Sequence, residues 1–105
     1  MAIKELSNPV VAQLVSAINR GDRQGFRDLL APGCTLSDDG IQRDLQDWID
    51  REIFTSNGKI DVERESRDGL ALKARFRNDT WGEMRTQWEF RLDGDKIAHI
   101  ETGQA

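Results

Sequence analysis

The feature that most constrains this chain is a run of period-two alternation from Ile60 to Leu92, broken only by turn signals. Successive side chains of a strand point to opposite faces, so such a pattern separates a dry face from a wet one. Ile60, Val62 and Arg64 alternate with Asp61, Glu63 and Glu65. Beyond the turn Arg67-Asp68-Gly69, Leu70, Leu72, Ala74 and Phe76 alternate with Lys73, Arg75 and Arg77. A longer connection, Asn78 to Gly82, leads to Met84, Thr86, Trp88, Phe90 and Leu92, which alternate with Arg85, Gln87, Glu89 and Arg91. Asp93-Gly94 is a hairpin signal, and a last strand follows over about Lys96 to Thr102. The pattern predicts an antiparallel meander with one apolar and one charged face. Its outward sets run acidic, basic, then mixed, so neighbouring strands pair opposite charges and hold register. The charged face is either solvated or a polar contact between two copies.

The apolar face needs a cover, and the first half of the chain supplies helices. Ser7-Asn8-Pro9 reads as a helix start, with a capping side chain before a proline whose missing N–H costs nothing there. Val10, Val11, Leu14, Val15 and Ile18 recur at helical spacing; Gly21 ends the helix and Asp22 caps a short second one carrying Phe26, Leu29 and Leu30. Pro32-Gly33 stops it. Cys34 to Ser37 reads as a brief strand running into the turn Asp38-Asp39-Gly40. A third helix is predicted over about Arg43 to Phe54, with Leu45, Trp48, Ile49 and Ile53 apolar. The expected fold is therefore α+β: one curved antiparallel sheet packed against three N-terminal helices, in a single domain spanning residues 1–105.

Length and charge agree. A chain of 105 residues suffices for one domain and one core. The net charge of −4 lacks the basic excess of nucleic-acid binders, so no nucleic-acid partner is expected. No stretch has membrane-spanning length, and Met1 to Glu5 shows no apolar signal core. Cys34 is the one cysteine, which favours a reducing compartment; the expected location is cytoplasmic.

The order of elements, the helix junction Ala17-Ile18-Asn19-Arg20-Gly21-Asp22 with Phe26 and Leu29-Leu30-Ala31-Pro32-Gly33-Cys34, and the closing Asp93-Gly94-Asp95-Lys96-Ile97 resemble the nuclear transport factor 2-like superfamily. The likeness is to its SnoaL-like, ketosteroid-isomerase-like branch. Trp81 to Thr86 and Glu101 to Ala105 resemble small bacterial members of it. The resemblance implies a cone of bent sheet closed by helices around an apolar pocket, and homodimers packed through the sheet. It also implies a range of isomerase, cyclase, dehydratase and epoxide-hydrolase chemistries. The steroid-isomerase and scytalone-dehydratase types depend on tyrosine, and this chain has none. The SnoaL-type cyclases need little more than an acidic base and stay open. The epoxide-hydrolase type needs an Asp-Arg-Asp set, which the sequence does not place.

Among the residues, Asp38 or its neighbour Asp39 is a candidate general base at the mouth of the pocket, with Asp38 the first choice, although Asp-Asp-Gly is first of all a turn. His99 is the one histidine and the obvious proton carrier. Strict alternation from Ile97 turns it inward, and a bulge before Ile100 turns it outward; Glu101 shares its parity. Glu52 sits at the edge of the third helix's apolar stripe, where it either enters the cleft or reaches water. Trp88 has the parity of the apolar face, Trp48 lies on the apolar stripe of the third helix, and Trp81 lies in a loop as lid, partner contact or core. Thr86 is the lone hydroxyl on its strand's apolar face, there to anchor a ligand or satisfy a backbone group. No cofactor and no metal are expected: Cys34 and His99 match no zinc spacing. The expected function is a small-molecule-binding domain with a partly apolar pocket. The alternatives are an isomerase- or cyclase-type enzyme using an acidic base, and a non-catalytic homodimer with a filled interior.

Overall fold

A computed structural model describes residues 6–105. The first helix, α1 (Pro9–Arg20), starts as the sequence predicts: the Asn8 side chain accepts from the N–H groups of Val10 (2.9 Å) and Val11 (3.2 Å). Gly21 ends it in the left-handed region at φ 66°, where a residue with a side chain would be strained. Asp22 then caps α2 (Arg23–Asp28) by accepting from the Gly25 N–H at 2.9 Å.

The next segment departs from expectation. Strand β1 runs from Leu30 to Asp38 rather than over Cys34–Ser37 alone. Its pairing is irregular between Leu30 and Thr35, which lets Pro32, lacking an N–H, sit inside a strand. Asp39 and Gly40 both have positive φ and form a two-residue hairpin turn into β2 (Ile41–Arg43), an element absent from the sequence reading. Helix α3 (Leu45–Ile49), capped by Asp44, continues through a π-type turn over Asp50–Phe54.

The meander stands as predicted: β3 (Lys59–Ser66), β4 (Ala71–Asn78), β5 (Gly82–Asp93) and β6 (Lys96–Gln104) pair antiparallel in sequence order. The six-stranded sheet has the order β2-β1-β6-β5-β4-β3. It is mixed rather than purely antiparallel, because β1 lies parallel to β6. The three helices also do not all precede the sheet, since β1 and β2 lie between α2 and α3.

Leu72, Ala74, Phe76, Trp88, Phe90, Ile97 and Ile100 of the sheet meet Val11, Leu14, Ile18, Phe26, Ile49 and Ile53 of the helical layer in one buried core. Each fully buried side chain of this size contributes about 1.5–3 kcal/mol. Two bulges alter the predicted faces. Glu63 is an extra residue between the pairs Val62–Ala74 and Arg64–Lys73, so Arg64 leaves the face of Ile60 and Val62 and turns outward. Ala98 is an extra residue between Leu92–Ile97 and Arg91–His99, so His99 also turns outward. The open face carries the predicted ion pairs only in part. Arg75 pairs with Glu63 (3.1 Å) and Arg67 with Glu89 (3.6 Å), but Arg75 stands directly opposite Arg85, and Glu89 opposite Glu101. No described helix is long and apolar enough to cross a membrane.

Candidate ligand-binding site

A cavity of about 330 Å³ opens at the end of the sheet where the β1–β2 hairpin, α3 and the β4–β5 loop converge. That volume lies at the lower end of the range for small-molecule pockets, about 300–1,000 Å³. Trp48 from α3, Phe76 from β4 and Trp88 from β5 are buried aromatic wall residues. Trp48 meets Trp88 edge-on, with ring centroids 6.1 Å apart, and Phe76 tilts against Trp88 at 6.0 Å. Met84 adds a half-buried thioether. Trp81, on the loop between β4 and β5, stands 63% exposed at the rim.

Each indole N–H has its own acceptor. Trp48 Nε1 donates to Asp38 Oδ2 at 3.0 Å, and Trp81 Nε1 to both Glu52 carboxylate oxygens at 3.1 and 3.3 Å. Trp88 Nε1 donates to Thr86 Oγ1 at 2.9 Å, and the Thr86 hydroxyl donates onward to the Ala74 carbonyl at 3.1 Å. Both bonds of that hydroxyl are therefore internal, and Thr86 supports the wall. The Asn78 side chain braces the loop: its amide nitrogen donates to the Glu52 carbonyl (2.8 Å) and its oxygen accepts from the Trp81 N–H (2.8 Å).

Asp39 completes the mouth. Its side chain accepts from the Gln104 N–H at 3.1 Å, and its own N–H donates to the Thr102 carbonyl at 2.9 Å, tying the hairpin turn to β6. A Cβ at residue 103 would meet the Asp39 carboxylate, which would have to move aside, so the glycine there leaves that carboxylate in place. Arg43, at the end of β2, is the basic residue on the cavity wall.

The structure thus gathers Asp38, Trp48, Glu52, Trp81, Thr86 and Trp88 around one cavity. It does not bring His99 or Glu101 there. The Ala98 bulge turns both to the open face, where His99 Nδ1 bonds the Thr35 hydroxyl (2.7 Å) and Glu101 accepts from the Ser37 hydroxyl (3.2 Å). Asp39, the alternative to Asp38, lines the same mouth, while Arg43, Phe76, Met84 and Gln104 are wall residues the sequence does not single out. The Asp39-Gly40 hairpin signal could have placed Arg43, because it folds β2 back beside the turn. Burial pushes the Cys34 thiol up to about 11, against a smaller opposing effect of Arg91. The thiol stays protonated at neutral pH and is a poor nucleophile.

The sequence matches no family model, and no curated protein resembles it significantly. Solved structures do. A nuclear transport factor 2-like protein of unknown function from Cytophaga hutchinsonii superposes with a TM-score of 0.79 at 12% identity, over 100% of this chain and 95% of that one. A provisionally assigned polyketide cyclase from Sinorhizobium meliloti gives 0.73 at 16% identity, over 89% and 92%. The Δ5-3-ketosteroid isomerase of a Mycobacterium species gives 0.73 at 16% identity, over 93% and 92%. At these identities the likeness establishes architecture and leaves the chemistry to the site. The chain has the nuclear transport factor 2-like fold, as its helix junction and meander imply.

Proposed function

We propose that this chain is a small-molecule-binding domain whose ligand occupies the cavity between α3, the β1–β2 hairpin and the β4–β5 loop. One observation carries the reading: a cavity with buried aromatic walls and a few convergent polar groups at its mouth. A fragment screen on the full chain, followed through the indole N–H resonances, tests it. Bound fragments should move the Trp48 and Trp81 signals, and Met84→Trp, which fills the cavity, should abolish the response while the fold persists. An unchanged response in Met84→Trp would sink the proposal.

A second reading, a cyclase- or isomerase-type enzyme, is favoured by Asp38. Its Oδ2 is held by Trp48, while Oδ1 accepts no hydrogen bond among the described residues and faces the role of a general base. On this reading Asp38→Asn lowers turnover of a substrate by about 10²–10⁴-fold with binding retained. An unaltered rate would remove Asp38 from the chemistry.

The same proposal seats a second copy of the chain on the open face, in a reducing cytoplasm suited to the lone Cys34. Arg85, Gln87 and Glu89 succeed one another on β5 with Arg85 facing Arg75 and Glu89 facing Glu101, so like charges are juxtaposed within one chain. A two-fold axis at Gln87 would set Arg85 against Glu89 of the second copy and relieve both clashes. Sedimentation should show a dimer that Arg85→Glu dissociates and Arg85→Glu with Glu89→Arg restores.

A further inference from the structure

We infer that the cavity takes an organic ammonium cation with a small apolar body; this rests on the proposal that the cavity is a ligand site. Away from the cavity five acidic side chains, Asp22, Asp47, Asp50, Glu63 and Glu89, sit in ion pairs with arginine, and unpaired ones such as Asp61, Asp93 and Asp95 are exposed to water. Asp38, Asp39 and Glu52 all line the cavity, and none is ion-paired among the described residues. The donors that two of them do have are indole N–H groups, which orient a carboxylate without neutralising it.

Those hydrogen bonds also decide how the rings present themselves. With its N–H edge committed to Asp38, Trp48 meets Trp88 at 75° between planes, and both rings line the cavity, with Trp81 exposed at its rim. An aromatic face attracts a cation through its quadrupole, and a desolvated site strengthens that attraction. An ammonium group here would meet indole faces and unpaired carboxylates together, and its apolar body would lie against Trp88 and Met84. A carboxylate or phosphate ligand would meet three negative side chains and one arginine, Arg43, which is exposed. That single cation opposes the amine, so removing it gives a test of opposite sign.

Three near-isosteric probes separate the possibilities: phenethylamine, 2-phenylethanol and phenylacetate, titrated into the full chain and read at the Trp48 and Trp81 indole N–H signals. The amine should bind at least about tenfold more tightly than the alcohol, with phenylacetate weakest. Asp38→Asn keeps an oxygen to accept the Trp48 N–H but removes the charge; in it the amine's advantage over the alcohol should shrink towards parity. Arg43→Ala, an exposed change, should tighten amine binding severalfold. Equal affinity for amine and alcohol, a preference for phenylacetate, or no tightening in Arg43→Ala would overturn the ammonium assignment and leave the ligand site standing. If none of the three probes moves an indole signal at millimolar concentration, the assignment and the ligand-site proposal fall together.

Discussion

Trp88 and Glu89 are neighbours on β5, yet one is 1% exposed beneath the helices and the other lies on the open face. The two faces of this sheet obey different rules. On the helix-covered face, position is set by shape: rings interlock, and the buried indole N–H groups of Trp48 and Trp88 both have acceptors. On the open face, position is set by charge in high dielectric, where even directly opposed arginines are tolerated. The difference teaches that the covered face determines the fold, while the open face is free to be shaped by a partner.

Substitutions on the two faces should differ accordingly. Trp88→Ala should cost about 3–5 kcal/mol in urea unfolding, whereas Glu89→Ala should stay within about 0.5 kcal/mol. Comparable losses at the two positions would erase the distinction. Thr86→Val keeps the shape of a buried side chain but strands the Trp88 N–H, and should cost about 1–3 kcal/mol. A neutral effect would mean that the indole finds another acceptor.

On the open face the sign should reverse. Glu101→Lys replaces a like-charge pair with Glu89 by an opposite one, and should stabilise by about 0.2–1 kcal/mol at low salt, with the gain fading as salt rises. A destabilised variant would show that Glu101 is held by the Ser37 hydroxyl more firmly than it is repelled by Glu89.

The smallest effect lies at the margin between the faces. The Ser7 hydroxyl, and then its N–H, donate to Glu65 and hold that carboxyl below its ordinary range. A lowered folded-state value means that the contribution is present above the unfolded carboxylate range and is lost as pH falls through the folded value. Ser7→Ala should therefore move the Glu65 titration upward in a carboxyl-detected NMR series. An unmoved midpoint would show that the contact does not persist in solution.

How much of this could be read from the sequence depended on whether the signal was local. The meander was legible because alternation and turn residues sit within a few positions of one another. Caps at Asn8 and Asp22 were legible for the same reason. The parallel pairing of β1 with β6 was not, since nothing in Leu30–Asp38 specifies a partner 64 positions away. Around the cavity, the inward facing of Trp88 and Thr86 was legible from strand parity and that of Trp48 from helical spacing. His99 hung on one residue: without a bulge at Ala98 it would have faced the core, and alternation carries no mark of a bulge. Arg64 changed face at Glu63 for the same reason. Arg43 escaped notice because a three-residue strand offers too little periodicity to detect.

The parallel pairing also has a consequence in time. During synthesis β1 leaves the ribosome well before β6, and at about 5–20 residues per second a gap of 64 residues means roughly 3–13 s of waiting. For that interval β1 has only the short β2 hairpin on one side, and its other edge is unpaired. The nascent chain is therefore most open to mispairing through Leu30–Asp38, the strand that delivers Asp38 to the cavity. Completion of the site waits for the last strand of the sheet.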